Sequence, residues 1–144
     1  MKRPSAISSL TEGEKNMSKA LVVDDSKTIR MILKRALTEV GFDVCEAGNG
    51  QEALNALQAE GGTVTLALVD WNMPEMNGLE FLIELRRRPE FSAIKVIMVT
   101  TEAESGHMVS ALEAGADEYV MKPFTKEILK EKLQLAGALS YASC

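Results

Sequence analysis

Three acidic side chains stand directly after apolar runs of strand-like composition. Asp24 and Asp25 follow residues 21–23, and Asp70 follows residues 66–69. In an open parallel sheet, ligands bind in the crevice at the carboxyl ends of the strands. Carboxylates crowded into such a crevice raise one another's pKa unless a cation separates their charges. Few protein ligands combined with several waters is the pattern expected for Mg²⁺, so the spacing predicts a magnesium site.

Two further polar residues end strand-like runs, and they add phosphoryl chemistry. Thr100 follows residues 96–99, and Lys122 ends the run at 119–121. A carboxylate beside a metal can attack phosphorus and become an acyl phosphate. Asp70 is the candidate nucleophile. The Lys122 ammonium can pair with that carboxylate and later with phosphoryl oxygens, and the Thr100 hydroxyl offers a further phosphoryl contact.

Each of these residues also has an ordinary structural explanation. Asp24 or Asp25 could cap the helix that begins near Lys27, Thr100 could cap a loop, and Lys122 could be an exposed strand end. Each explanation accounts for one residue, whereas the metal and phosphoryl interpretation accounts for all of them together. The bond between Lys122 and Pro123 could be cis, but the base rate of a few per cent leaves both isomers open.

Composition limits the classes of protein to which the chain can belong. The chain has 144 residues, which is one domain by the usual length, and a net charge of −5. Residues 1–19 carry four basic and two acidic side chains, so the remainder carries −7. Such an acidic domain is unsuited to nucleic acid. No apolar run approaches the roughly 20 residues that cross a bilayer, and the N-terminus lacks the apolar core of a signal peptide. We expect a cytoplasmic monomer.

Two cysteines, Cys45 and Cys144, are too few and too far apart to form a disulfide framework. Cys45 lies in a strand-like segment and is expected to be a small core residue, since free cysteines are commonly buried. Cys144 is expected to be a solvated tail thiol.

Apolar periodicity predicts five strands that alternate with five helices. The strands are predicted near 20–24, 43–47, 64–70, 94–100 and 117–121, and the helices near 27–40, 51–60, 78–87, 105–114 and 126–136. Continuous apolar runs suit strands covered on both faces. The fold class is α/β, a flavodoxin-like (βα)5 three-layer sandwich with a parallel sheet in the order 2-1-3-4-5. Residues 1–18 are predicted to be a flexible leader, 19–137 the domain and 138–144 a tail.

The acidic pair, the later aspartate, the threonine and the Lys-Pro pair together resemble the receiver domain of two-component response regulators. The resemblance spans residues 19 to about 136 and rests on four motifs. It is greatest to the single-domain chemotaxis regulators of that family. The motifs are 23–26 (Val-Asp-Asp-Ser), 70–74 (Asp-Trp-Asn-Met-Pro), 98–100 (Met-Val-Thr) and 122–125 (Lys-Pro-Phe-Thr).

The resemblance implies roles for the residues of the predicted pocket. Asp70 would accept a phosphoryl group from a phosphohistidine of a sensor histidine kinase. Asp25, Asp70 and the main-chain carbonyl of Asn72 would ligate Mg²⁺, with Asp24 acting mostly through water. Lys122 and Thr100 would hold the phosphoryl oxygens.

The resemblance also implies a switch and a partner surface. Tyr119 would be the aromatic residue that turns inward when Thr100 moves, although a strand tyrosine is more often a plain core residue. Asn72 and Glu102 would tune the rate of phosphate loss. The partner face, built from the fourth helix, fifth strand and fifth helix, would include Ala103, Tyr119, Met121 and Lys132. His107 is expected on a solvated helix face, without a metal or catalytic role.

Several functional alternatives remain open at this point. The downstream partner is expected to be a flagellar motor switch, with a histidine phosphotransfer protein of a phosphorelay, or another protein served by an adaptor, as alternatives. The chain is not expected to be an enzyme beyond gaining and losing phosphoryl at Asp70. A haloacid dehalogenase-type phosphohydrolase would need an Asp-x-Asp nucleophile motif on the first strand. A flavin-binding module would need a phosphate loop where Asp24 and Asp25 stand.

Overall fold

Five strands alternate with five helices along the part of the chain that the computed structural model describes, residues 18–101, 106 and 108–139. The strands are β1 Lys19–Val23, β2 Asp43–Ala47, β3 Val64–Asp70, β4 Lys95–Thr101 and β5 Glu118–Lys122. The helices are α1 Lys27–Glu39, α2 Gly50–Glu60, α3 Gly78–Arg86, α4 Met108–Glu113 and α5 Lys126–Leu135, and a short 3-10 turn covers Pro89–Phe91.

The strands form one parallel sheet in the order β2-β1-β3-β4-β5. This order confirms the predicted flavodoxin-like fold. The chain moves outward from β1 in one direction and returns to β3 to continue in the other. The carboxyl ends of β1 and β3 are therefore neighbours at the point where the strand order reverses, which is where ligands bind in sheets of this kind.

Helices cover both faces of the sheet, because successive strand residues point to opposite sides. Ala20 and Val22 of β1 pack on one side with the apolar stripes of α1 and α5, which include Leu33 and Leu129. The opposite face packs against α2, α3 and α4. The central residues of that second core are Leu21, Val23, Ala53, Leu57, Val69, Phe81, Leu82 and Ala111.

The helix that follows the acidic pair has its own cap. The Ser26 side chain accepts a hydrogen bond from the Ile29 amide at 3.3 Å, which is the usual arrangement of an N-cap serine. Neither Asp24 nor Asp25 caps α1, so the capping explanation for these acids does not hold. At the other end Gly41 adopts a φ of 107°, a left-handed conformation that favours glycine.

Some details depart from the sequence-based expectations. Cys45 is half-buried at the edge of a core rather than inside it. The turn at Pro89–Phe91 was not predicted. Ala138 and Leu139, in the predicted tail, pack partly against the core beneath α1 and α5.

Several predicted features lie outside the described residues. They are Glu102, Ala103, His107, Cys144 and all of the leader except Ser18. Within the described ranges, no helix is long and apolar enough to cross a membrane.

Candidate metal and phosphoryl site

The register of the sheet brings the predicted site residues to one edge. Val23 of β1 pairs with Val69 of β3, so the next residues, Asp24 and Asp70, lie side by side. On the other side of β3, Asp70 pairs with Val99, and Thr100 lies one residue beyond that partner. β5 in turn pairs Lys122 with Thr101. Side chains from four strands therefore meet at the carboxyl edge.

Three carboxylates form a compact acidic cluster at this edge. One oxygen from each of Asp24, Asp25 and Asp70 lies within 4.8 Å of the others. Asp24 is buried, with 1% of its surface exposed, and Asp70 is 7% exposed. Asp25 is exposed. Two of the three carboxylates are therefore buried, and the third is accessible to solvent.

One oxygen of Asp24 lacks the hydrogen bond that burial normally requires. Its Oδ1 accepts from the Ser26 amide at 2.8 Å. Its Oδ2 is buried and accepts no hydrogen bond from any described residue, although the Lys122 ammonium lies 3.6 Å away. A buried, under-satisfied carboxylate oxygen is costly unless a cation binds it. The donor set consists of hard oxygens, so the residues fit Mg²⁺.

Lys122 joins the two buried carboxylates. Its Nζ donates to Asp70 Oδ1 at 3.2 Å, in addition to its contact with Asp24. Burial alone would lower the Lys122 pKa, but attraction to Asp70 and Asp24 outweighs that effect and raises the pKa. The lysine therefore stays charged. The Lys122–Pro123 peptide bond is cis, one of the two isomers that the sequence left open.

The Asp70 carboxyl experiences opposing electrostatic effects. Burial and then repulsion from Asp24 raise its pKa, while attraction to Lys122 opposes them, and the net result raises the Asp70 pKa to about 6. Without a metal, Asp70 is thus held in an environment that disfavours its ionised form. A perturbed carboxyl in a cleft next to a charge partner is typical of functional sites.

The start of α3 packs directly against the backbone of Asp70. The Gly78 amide donates to the Trp71 carbonyl at 2.9 Å. A Cβ at Gly78 would lie 2.5 Å from the Asp70 carbonyl oxygen and 2.8 Å from Met98 Cε, so only glycine fits. Asn77 and Glu80 fix the helix start with a reciprocal capping box. This packing holds the strand end that carries Asp70.

Thr100 and Tyr119 border one narrow crevice, which has no room for a water molecule. The crevice is lined by Trp71, Met98, Thr100, Met108, Ala111 and Tyr119. Thr100 is buried, and its hydroxyl lies 3.4 Å from the Thr101 carbonyl oxygen. Tyr119 is half-buried, and the Lys132 ammonium lies 4.3 Å from its ring centroid. The predicted switch residues are therefore neighbours across β4 and β5.

The remaining predicted residues occupy two separate places. Asn72 is exposed in the loop directly after Asp70 and Trp71. Met121 is 37% exposed on β5, and Lys132 of α5 also donates to Glu118 Oε1 at 3.3 Å. Met121 and Lys132 thus lie on the β5 and α5 side, away from the acidic cluster.

One residue at the site was missed by sequence reasoning. The Arg30 guanidinium donates from Nη1 to the Asp24 carbonyl oxygen at 2.5 Å. A signal existed, because Lys27 and Arg30 lie near the N-terminus of α1, where basic side chains oppose the helix dipole. Such an unfavourable placement indicates a compensating partner.

Comparison with known proteins identifies the family to which the chain is related. The response regulator receiver domain family matches residues 20–134. Chemotaxis protein CheY1 of Helicobacter pylori is 48% identical over 118 residues, which are 81% of this chain and 94% of that protein. The chemotaxis protein CheY homolog of Campylobacter jejuni is 47% identical over 117 residues, 81% of this chain and 89% of that protein.

A solved structure agrees as well. Chemotaxis protein CheY4 of Vibrio cholerae has a TM-score of 0.75 at 34% identity and covers 82% of this chain and 97% of that one. The fold and the family match define a signalling receiver. The chain belongs to the response regulator receiver domain family, and the resemblance seen in its motifs is confirmed. Over most of its length it is similar to chemotaxis proteins of the CheY type.

Proposed function

We propose that this chain accepts a phosphoryl group on Asp70, with Mg²⁺ held by Asp24, Asp25, Asp70 and the Asn72 carbonyl. The observation that carries the proposal is the acidic cluster, in which the buried Asp24 Oδ2 lacks a hydrogen bond and Lys122 already contacts Asp70. A cation and an anionic group bound together would satisfy these side chains better than water alone.

The chain's own residues divide the transfer between them. An Asp70 oxygen forms the bond to phosphorus while the bond to the donor histidine nitrogen breaks, and the electron pair leaves with the imidazole. Lys122 exchanges its contact with Asp70 for the phosphoryl oxygens, and the Thr100 hydroxyl donates to another of them. When bound, Mg²⁺ neutralises charge on the transferring group. Asn72 and Glu102 are assigned to tuning the later hydrolysis.

The phosphoryl group on Asp70 would then change a protein surface that lies away from the site. A phosphorylated side chain adds roughly −1.5 to −2 charge and strong acceptors. Thr100 would follow those acceptors and open space for Tyr119 in the crevice that both residues border. The surface of Ala103, Tyr119, Met121 and Lys132 would change its shape and its affinity for a partner, in the manner of a two-state element biased by a local charge.

Similarity to chemotaxis proteins favours a particular pathway. The relatives bear chemotaxis names, and their alignment covers most of their own length. We therefore assign this chain a sensor histidine kinase as phosphoryl donor and the flagellar motor switch as target. The domain is taken as 19–137, acting in the cytoplasm as a monomer.

The first test is labelling of the acceptor. Wild-type protein incubated with acetyl phosphate and Mg²⁺ is expected to gain one acid-labile acyl phosphate, detected as a mass increase of roughly 80 Da. Asp70→Asn should abolish labelling because the nucleophile is gone. Asp43→Asn changes an exposed aspartate outside the pocket and should label normally. Labelling retained by Asp70→Asn would place the acceptor elsewhere.

The second test is metal binding. Trp71 is the only tryptophan, adjoins Asp70 and is buried, so its fluorescence should be quenched as Mg²⁺ binds. Asp25→Ala removes a ligand and should raise the Mg²⁺ dissociation constant by about tenfold or more. A titration curve identical to that of the wild type would exclude Asp25 as a ligand.

A further inference from the structure

The Arg30 side chain connects three parts of the chain beside the acidic cluster. From α1 it donates through Nη1 to the Asp24 carbonyl oxygen at 2.5 Å and through Nε to Glu46 Oε1 at 3.1 Å. Glu46 belongs to β2, the strand next to β1. Only 18% of the Arg30 side chain is exposed. The guanidinium is therefore packed in one orientation by two partners.

The polar atoms of Asp24 are fixed from several sides, and Arg30 supplies one of these contacts. The Asp24 amide donates to the Ala47 carbonyl at 3.1 Å. Oδ1 accepts from the Ser26 amide at 2.8 Å, and the carbonyl oxygen accepts from Arg30. Oδ2 remains, buried and without a hydrogen bond from any described residue, 3.6 Å from the Lys122 ammonium that also contacts Asp70. The other contacts thus direct this one oxygen into the cluster.

We propose that Arg30 is a positioning residue for Asp24: its guanidinium anchors the Asp24 carbonyl and so holds the Asp24 carboxylate in the metal pocket. The inference rests on the proposed function for its consequence in Mg²⁺ affinity, although the anchoring itself does not require metal. Outer partners that orient ligands commonly contribute tenfold to a hundredfold to metal affinity.

Glu46 reduces the repulsion that the positively charged Arg30 guanidinium would exert on Mg²⁺ in the nearby cluster. A bare guanidinium next to the cluster would repel Mg²⁺. Glu46 pairs with Arg30, and its second oxygen lies 3.6 Å from Lys34 Nζ. The charge of Arg30 is thereby offset, while its fork of donors still reaches the backbone. If Arg30 positions Asp24, its removal should raise the Mg²⁺ dissociation constant. If Arg30 acts through its charge, its removal should lower that constant.

The decisive experiment is a Mg²⁺ titration followed by Trp71 fluorescence. Arg30→Ala is expected to raise the dissociation constant about tenfold, because Asp24 loses its anchor. If Arg30 acted through charge alone, the same change would lower that constant and overturn the proposal. Arg35→Ala, an exposed basic residue on the same helix, is the matched control and should change affinity by less than about twofold. Arg30→Lys keeps the charge but not the fork, and its affinity should lie between wild type and Arg30→Ala.

A measurement of stability separates this role from a general loss of stability. Urea unfolding in EDTA gives the midpoint of each metal-free variant, and titrations are done where all variants are folded. An unchanged Mg²⁺ affinity with a lowered midpoint would reduce Arg30 to a structural residue and overturn the proposal.

A readout without metal keeps this inference separate from the proposed function. In the metal-free protein, the Ser26 amide should exchange with deuterium severalfold faster in Arg30→Ala than in Arg35→Ala, because the Asp24 oxygen that it bonds is no longer held. If wild type fails to bind Mg²⁺ but this amide responds, the proposed function fails and the anchoring stands. Equal exchange rates would overturn the anchoring, whatever Mg²⁺ does.

Discussion

At the scale of single residues, Asp70 combines a reactive position with an unfavourable environment. It is buried, it lies beside Asp24, and among the described residues Lys122 offsets these effects. Its pKa is accordingly raised to about 6. The ionised carboxylate that a phosphoryl donor requires is therefore the form that the metal-free fold disfavours. The charged residues of this edge place an energetic cost on the metal-free fold, as is common at functional sites.

This environment predicts the sign of a pH effect on the metal-free protein. The folded-state pKa of Asp70 lies above its ordinary value of 3.8, so folding favours the protonated form. The resulting stability is fully present below about pH 4 and is lost as pH rises through about 6. The loss is about 2–3 kcal/mol in the free energy of unfolding.

The measurement is urea unfolding in EDTA between pH 4 and 8, comparing wild type with Asp70→Asn. Asparagine stays neutral, so the variant should lack this component and become the more stable protein at pH 7 and above. Groups distant from Asp70 titrate alike in both proteins and cancel in the difference. A difference that does not vary with pH would show that Asp70 titrates in the folded protein as it does in the unfolded chain.

At the scale of elements, the ends of the strands position the site residues, and the first residues of the helices hold those strand ends in place. Asp70 is the last residue of β3, and the first residue of α3, Gly78, touches its backbone. The capping box of Asn77 and Glu80 makes this helix start rigid. The loop between β3 and α3, which carries Asn72, therefore has its two ends held in contact with each other.

Replacing Gly78 by alanine should test this contact. The added Cβ would overlap the Asp70 carbonyl oxygen, so α3 or the end of β3 must shift, and overpacking of this kind costs about 1–3 kcal/mol. Gly106→Ala is the control, because a Cβ there meets no atom of the described residues within 4 Å. Thermal unfolding should show a lowered midpoint for Gly78→Ala alone, together with weaker Mg²⁺ quenching of Trp71. Equal midpoints for the two variants would mean that α3 adjusts without strain.

The elements themselves were largely predictable because burial leaves local patterns. Continuous apolar runs and a 3.6-residue period report which face is covered, and the predicted strands lie within one residue of the observed ones. The predicted ends of α1, α2, α3 and α5 also lie within one residue of the observed ones. The turn at Pro89–Phe91 was missed because a single proline and one apolar residue form no period.

Contacts between distant segments were predictable only in part. Strand order and strand-end chemistry sufficed to bring Asp24, Asp70 and Lys122 together. They did not give the pairing of Arg30 with Asp24 and Glu46, because a basic residue near a helix N-terminus indicates that a partner exists without identifying it. The half-buried state of Cys45 likewise depends on how the edge strand β2 is covered, which no local pattern reports.

At the scale of the whole molecule, the acidic edge and the candidate partner face share two strands. β4 ends in Thr100 and Thr101, and β5 carries Tyr119, Met121 and Lys122. The same two strands therefore hold groups of the phosphoryl site at their ends and an exposed surface along β5. In contrast, α2 lies on the far side of β3 and shares no residue with the site. In the proposed function, a change at Asp70 reaches β5 through the neighbouring strand β4.

This arrangement predicts a directional response to a phosphoryl mimic. Beryllofluoride with Mg²⁺ should bind Asp70 and stabilise the fold, by about 2.7 kcal/mol at a hundredfold excess over the dissociation constant. Backbone amide chemical shifts should change at Thr100, Tyr119 and Met121 but little at Ala53 and Leu54 of α2. EDTA should reverse both effects, and Asp70→Asn should show neither. Shifts confined to the loops at 24–26 and 70–72 would mean that the anion binds without reaching the partner face, and the proposed switch would then be wrong even though the acceptor site is right.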